Sequence, residues 1–181
     1  MRSSKEGFTL IEVLGVMAVV GLLISLLFPA IEASRRSSLQ QRSRLQLLEI
    51  KSAIENYRSY YGNYPQFLCT YEIPLALNQF RWQLLEALQG GHGRTISPLN
   101  PHAVRFMEFS SSINGGDPVI DAFGNAEVYI ILRHPDELAI SRESFPERLR
   151  LHVPENGLFD SIAIYCIGKK ENLDTRSWEG K

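Results

Sequence analysis

The sequence is short of the residues that mark several common classes of protein. Its 181 residues include 2 cysteines, too few for a disulfide scaffold or for a zinc site made of cysteines alone. The 19 lysines and arginines are balanced by 20 aspartates and glutamates, so the chain lacks the basic face that a nucleic-acid partner requires. No segment is of low complexity, which excludes a disordered or fibrous chain.

Sequence motifs of familiar active sites are also missing. The chain contains no Gly-x-Ser-x-Gly, no His-Glu-x-x-His, no Cys-x-x-Cys and no Walker A lysine. Three of its 4 histidines lie near prolines and are predicted to be surface loop residues. We therefore predict that the protein is not an enzyme and has no catalytic residue.

What the sequence does contain is one long apolar run near its start. Val13–Ile31 is a stretch of 19 residues without a charged side chain. As a helix it would be about 28 Å long, close to the roughly 30 Å hydrocarbon core of a bilayer. It lacks the polar stripe of a core helix in a soluble protein. We therefore predict a membrane-inserting helix, which is a secretory signal, a plain anchor, or a helix that later joins an assembly.

Glu12 immediately precedes this run. A carboxylate in an apolar segment is costly in lipid and usually has a functional partner, although at the headgroup level it would cost little. The residues around it resemble the processing motif of type IV pilins and type II secretion pseudopilins, over Gly7-Phe8-Thr9-Leu10-Ile11-Glu12-Val13.

This resemblance implies how the N-terminus is processed and used. A prepilin peptidase would cut after Gly7 and methylate the new amine of Phe8, and Glu12 would be needed for assembly. In a stack of subunits, that amine can neutralise Glu12 of a neighbouring copy, whereas a misplaced subunit would leave a bare carboxylate in apolar surroundings. Pro29 has no backbone N–H and matches the place of a helix break in the family, so we expect a break there.

Beyond Pro29 the pattern becomes that of an amphipathic helix. Gly62 follows as a stop signal, and the apolar positions recur every three or four residues: Leu47, Ile50, Ile54, Tyr57 and Tyr61.

The expected organisation therefore has four segments. They are a leader peptide over 1–7, a transmembrane and filament-core helix over 8–31, an amphipathic stem helix over 32–62 and a globular head over 63–181. The expected fold class is α+β, with the long N-terminal helix packed on a small antiparallel sheet as in pilins.

Shorter patterns organise the predicted head. Leu77, Phe80, Leu84 and Leu88 indicate an amphipathic helix, which the glycines at 90–91 would close. A turn over 121–126 leads into a strand over 127–132, and a second strand spans 161–167. The turn after the long helix and the turn over 121–126 are similar to the Tyr-Gly-x-Tyr-Pro and Asp-Pro-Trp-Gly-Asn-Pro segments of major pseudopilins.

The resemblance also implies a calcium site in the C-terminal loop. Asn172 and Asp174 offer oxygen ligands, the type that calcium prefers. Basic residues lie beside them, which favours the alternative of a solvated tail with Trp178 packed against the sheet.

Two interpretations are open for the cysteines. Export of the head would permit a disulfide between Cys69 and Cys166. Alternation in the strand instead places Cys166 on the face of Ile162 and Ile164, as a buried free thiol.

Taken together, the resemblance implies a structural subunit of a type II secretion pseudopilus. It would cross the bacterial inner membrane once, with an exported periplasmic head, before entering the filament. The implied partners are other copies of the chain, the prepilin peptidase, a secretion platform protein and minor pseudopilins. Alternatives are a subunit of a type IV or DNA-uptake pilus and a membrane-anchored binding domain with a pilin-like leader. The arginines after the apolar run favour the opposite topology, but large domains translocate largely regardless of charge.

Overall fold

The computed structural model describes residues 9–68, 71–90, 97–109, 113, 117, 119, 121–169 and 174–178. The chain divides into two compact units, Met1–Leu39 and Gln40–Lys181. The 52-residue helix α1, Leu10–Tyr61, contributes to both units.

In the first unit, α1 is uncharged around its whole circumference over residues 13–31, and this stretch is exposed. Its helical hydrogen bonding continues through Pro29, so the predicted helix break is not observed. A proline removes only one backbone donor. The good helix formers before it, Leu26 and Leu27, keep the remaining turns regular.

In the second unit, α1 presents one buried stripe, as its sequence predicts. Its buried side chains are Ser43, Leu47, Ile50, Ala53, Ile54 and Tyr57. The helix stops at Tyr61 because Gly62 adopts a positive φ of 81°, and its N–H reaches the Arg58 carbonyl at 2.7 Å.

The described part of the second unit contains a four-stranded antiparallel sheet in the order β1-β2-β3-β4. Its strands are β1 (Ile73–Pro74), β2 (Val128–Leu132), β3 (Ile162–Cys166) and β4 (Thr175–Arg176). The register of the central pair aligns Val128 with Cys166 and Leu132 with Ile162. The strands expected over 127–132 and 161–167 are thereby confirmed, each slightly shorter than predicted. The expected α+β fold, a long helix with a small antiparallel sheet, is confirmed too.

Both faces of the central strands are covered. Ile130, Ile162, Ile164 and Cys166 lie on the inner face, in one cluster with the α1 stripe. Tyr165 and its neighbours on the outer face form a second cluster with Phe145, Leu149 and Trp178. This second layer comprises the 3-10 helix Arg142–Ser144, the short helix α3 (Glu147–Arg150) and the C-terminal segment.

The helix α2, Asn78–Gln89, confirms the amphipathic helix predicted before the glycines at 90–91. Leu84 and Leu88 are buried in the inner cluster, and Gly90 ends the helix in the left-handed conformation. The predicted first position, Leu77, lies just before the helix and is exposed.

Polar contacts connect α1 to the rest of the second unit. Lys51 forms an ion pair with Asp160, two residues before β3 begins. Ser43, which is fully buried, accepts a hydrogen bond from the Ala122 N–H at 2.9 Å. These contacts tie the stem helix to the turn before β2 and to the start of β3.

We expect the α1 stripe to determine the stability of the head. Ile54→Ala should lower the free energy of unfolding by about 3 kcal/mol, because it leaves a cavity between α1 and the sheet. Urea titration of the detergent-solubilised full chain, followed by near-ultraviolet circular dichroism, measures this change. Leu45→Ala is the matched control on the same helix, since Leu45 is 65% exposed; it should change stability by less than about 0.5 kcal/mol. Equal losses from both substitutions would contradict the role of the stripe.

Candidate functional site

The first turn of α1 is closed by a reciprocal side-chain cap. The Thr9 N–H and the Thr9 hydroxyl each donate to Glu12 Oε2 at 2.8 Å. In return, the Glu12 N–H donates to Thr9 Oγ1 at 3.4 Å. This arrangement is a capping box, which satisfies backbone donors that a helix start leaves without partners.

The cap uses only one of the two oxygens of Glu12. Within the part of the chain that the structure describes, Oε1 receives no hydrogen bond. Glu12 can therefore hold its own helix start through Oε2 and still offer a negative charge to a cation from another molecule. Gly7 and Phe8, the predicted cleavage and methylation positions, lie outside the described residues.

The apolar half of α1 offers a continuous surface to a membrane or to other helices. It is long and apolar enough to cross a bilayer, and none of its most apolar stretch is buried among the described residues. At Gly15 and Gly21, an added Cβ would meet only open space. The helix backbone is therefore accessible at these two positions, which allows a neighbouring helix to approach closely.

A family model for the prokaryotic N-terminal methylation motif matches residues 2–28. Over these residues the chain is type IV pilin-like. This pilin-like protein has no match among curated proteins and none among solved structures.

The motif implies processing by a prepilin peptidase, anchoring in a membrane and assembly into a filament. The long helix and small antiparallel sheet described above are consistent with a pilin-like subunit.

Asp174, the predicted calcium ligand, is already paired with an arginine in this pilin-like protein. Arg148 Nη2 lies 2.5 Å from Asp174 Oδ1, and Arg148 Nε lies 2.8 Å from Oδ2. The Gly168 N–H also donates to Oδ1 at 2.8 Å. Both oxygens of Asp174 are thus engaged by donors, which a calcium ion would have to displace or share. Asn172, the other predicted ligand, lies outside the described residues.

Residues 174–178 are correspondingly not part of a solvated tail. β4 pairs with β3, and Trp178 lies against Phe145 with its indole N–H donating to the His152 carbonyl at 3.0 Å. The predicted packing of Trp178 against the sheet is confirmed.

Cys166 is a buried free thiol in the part of the chain that the structure describes, and the disulfide with Cys69 stays a prediction. Cys69 lies outside the described residues. The Cys166 Sγ faces the Asn125 carbonyl at 3.7 Å, on the inner face with Ile162 and Ile164 as strand alternation predicts. Burial raises the pKa of the thiol well above its usual range, so Cys166 stays protonated and chemically inert.

Sequence reasoning singled out Glu12 but missed the cap that holds it. The signal was present, because Thr9-Leu10-Ile11-Glu12 has the spacing of a capping box. The Arg148–Asp174 pair had no such signal, because its partners lie on separate elements 26 residues apart.

The capping box allows the charge of Glu12 to be tested separately from its cap. Glu12→Gln keeps a side-chain oxygen for the Thr9 N–H but removes the charge. We expect it to be processed and inserted normally, with filament assembly reduced about tenfold or more because the pairing charge is lost. Thr9→Ala is the matched control, since it removes the capping hydroxyl and keeps the charge; it should retain most of its assembly. Sheared-filament yield and the mass of the processed N-terminus are the measurements, and wild-type yield from Glu12→Gln would refute the charge role.

The Arg148–Asp174 pair should stabilise the head without calcium. Arg148→Met should lower the free energy of unfolding by about 2 kcal/mol, because it leaves the 5%-exposed Asp174 carboxylate without its cation. The unfolding midpoint of the full chain in detergent should be the same with calcium and with a chelator. A calcium-dependent midpoint would show that a metal binds despite the ion pair. Arg105→Met is the control, because Arg105 forms an exposed pair with Glu108.

Proposed function

We propose that this protein is a subunit of a type II secretion pseudopilus. In this proposal a prepilin peptidase cuts after Gly7 and methylates Phe8. The chain is first anchored in the inner membrane with its head in the periplasm. It is then assembled into a filament with its apolar helix inside. Movement of the filament supports protein export, with force supplied by partner proteins.

The observation that carries the proposal is that one helix, α1, has an exposed apolar first half and an amphipathic second half. The methylation motif and the exposed apolar half of α1 supply an assembly element. The other half of the same helix is buried in the head. A plain membrane anchor needs no carboxylate at its start, whereas Glu12 with an open oxygen suits pairing with the amine of another subunit.

The head sequence supports a pseudopilus in particular. The turn after α1 and the turn before β2 resemble segments of major pseudopilins. In the second turn, the Asp121 carboxylate accepts the backbone N–H groups of Phe123 and Asn125 at 2.9 and 2.8 Å. Ser43 on α1 binds the same turn through the Ala122 N–H. The turn that resembles the pseudopilin segment therefore connects the stem helix to the sheet through defined hydrogen bonds.

A deletion strain of the source bacterium tests the proposal. We expect loss of exported proteins from the medium, measured by quantitative mass spectrometry, while surface pili and DNA uptake persist. The wild-type gene should restore export. Gly7→Leu should not restore it, and its product should keep the seven leader residues and lack the methyl group, because the bulky side chain blocks cleavage.

The same strain distinguishes the alternatives. Loss of surface pili or of DNA uptake with intact export would identify a pilus subunit. Normal export and normal pili, with a processed chain that forms no filament, would identify an anchored binding domain.

A further inference from the structure

One surface of the head has exposed apolar side chains that do not contribute to its core. It is an open groove of about 550 Å³ between residues 137–143 and 155–159, which we call the acidic groove. Leu138 and Phe159 line it and are 82% and 69% exposed. Large apolar side chains grouped on a surface are typical of interaction sites.

The walls of the acidic groove are held in place by the backbone. Ile140 and Leu158 form an antiparallel bridge, with reciprocal N–H to carbonyl hydrogen bonds of 2.9 Å. Gly157 packs so closely beneath it that an added Cβ would lie 2.6 Å from the Ile140 carbonyl oxygen. The groove is therefore a formed feature and needs little rearrangement to accept a partner.

Acidic side chains outnumber basic ones in the groove lining, with Arg133 and Arg150 at its edge as donors to the Leu138 and Glu143 carbonyls. Glu137, Glu143 and Glu155 line it, against Arg142 as the single cation among its lining residues. All three carboxylates are exposed, and none forms an ion pair with another described residue. Because Arg142 donates its Nε to the Arg150 carbonyl at 2.8 Å, it is partly engaged elsewhere. The acidic groove is thus complementary to a basic partner that also carries an apolar side chain.

This chain itself carries such a segment. On α1, Arg35, Leu39 and Arg42 are spaced by four and three residues, so they share one face of the helix. Both arginines are exposed and Leu39 is half-buried, and neither arginine pairs with a carboxylate within the described residues. We call this face the basic stem. It follows the apolar run directly, at the point where the helix of a packed subunit would leave the filament core.

We propose that the acidic groove of one subunit binds the basic stem of a second copy. Leu39 would contact Leu138 and Phe159, and the two arginines would contact the glutamates. Exposed ion pairs contribute modestly to affinity, but their arrangement selects partner and register. The proposal rests on the proposed function, because filament formation is what brings the copies together.

Disulfide trapping in the assembled filament tests the contact. Two tagged full-length copies are expressed together in the cells that assemble them, one with Leu138→Cys and one with Leu39→Cys. We expect a mixed dimer on non-reducing gels only when both variants are present. Leu151→Cys replaces Leu138→Cys as the control, because Leu151 is equally exposed, at 81%, but does not line the groove. The two-tag parent without new cysteines accounts for Cys69 and Cys166.

Charge exchange tests the reason for the contact. Glu137→Lys, Glu143→Lys and Glu155→Lys together should lower the mixed-dimer yield about tenfold, since they place like charges opposite the arginines. Adding Arg35→Glu and Arg42→Glu to the other copy should restore it. Glu147→Lys, on α3 and outside the groove lining, should leave the yield unchanged.

The outcomes separate this proposal from the proposed function. Filaments that form with no mixed dimer, or with as much from Leu151→Cys, would overturn the groove contact alone. A crosslink to a different protein would overturn the second copy as its occupant. Failure of the wild-type chain to form any filament would instead refute the proposed function, and it is scored independently by the yield of sheared filaments.

Discussion

The head of this protein depends on the burial of one stripe of α1 against the inner face of the sheet. Leu47, Ile50 and Ile54 share a cluster with the alternate residues of β2 and β3. The helix and the central strands therefore bury each other's apolar side chains. Ser43 and Lys51 add polar contacts to the turn before β2 and to the start of β3. This stripe belongs to the same helix, α1, as the apolar run that follows Glu12.

The two halves of α1 therefore require different environments. Its first half has no polar face, and water would be a poor solvent for it. Its second half exposes charged residues and buries a single stripe. The proposed assembly resolves this conflict by placing the first half in lipid and later among other helices. The acidic groove and the basic stem have the same property on the surface, because each has exposed groups that a second copy would cover in the proposed contact.

Much of this organisation could be predicted from local sequence. The uncharged run, the periodic stripe, the stop at Gly62 and the two central strands each depend on residues close in sequence. The outer layer could not be predicted in the same way, although the unbroken apolar run Ile162–Cys166 is typical of a strand covered on both faces. Arg148 and Asp174 meet only because α3 lies in the outer layer beside the start of β4, which pairs with β3. The break predicted at Pro29 was wrong, because the loss of one backbone hydrogen bond did not interrupt the regular helical turns around it.

The capping box at Thr9 has a consequence for the timing of assembly. A glutamate that is free to rotate loses side-chain entropy when it captures a cation, and that loss weakens the contact. Glu12 has already given up this freedom, because two hydrogen bonds fix Oε2 to the first turn of its own helix. Its second oxygen is thus preorganised before any neighbour arrives. In the proposed assembly, a subunit still alone in the membrane already presents Glu12 as an acceptor, so recruitment requires the neighbour to move into position while Glu12 stays in place.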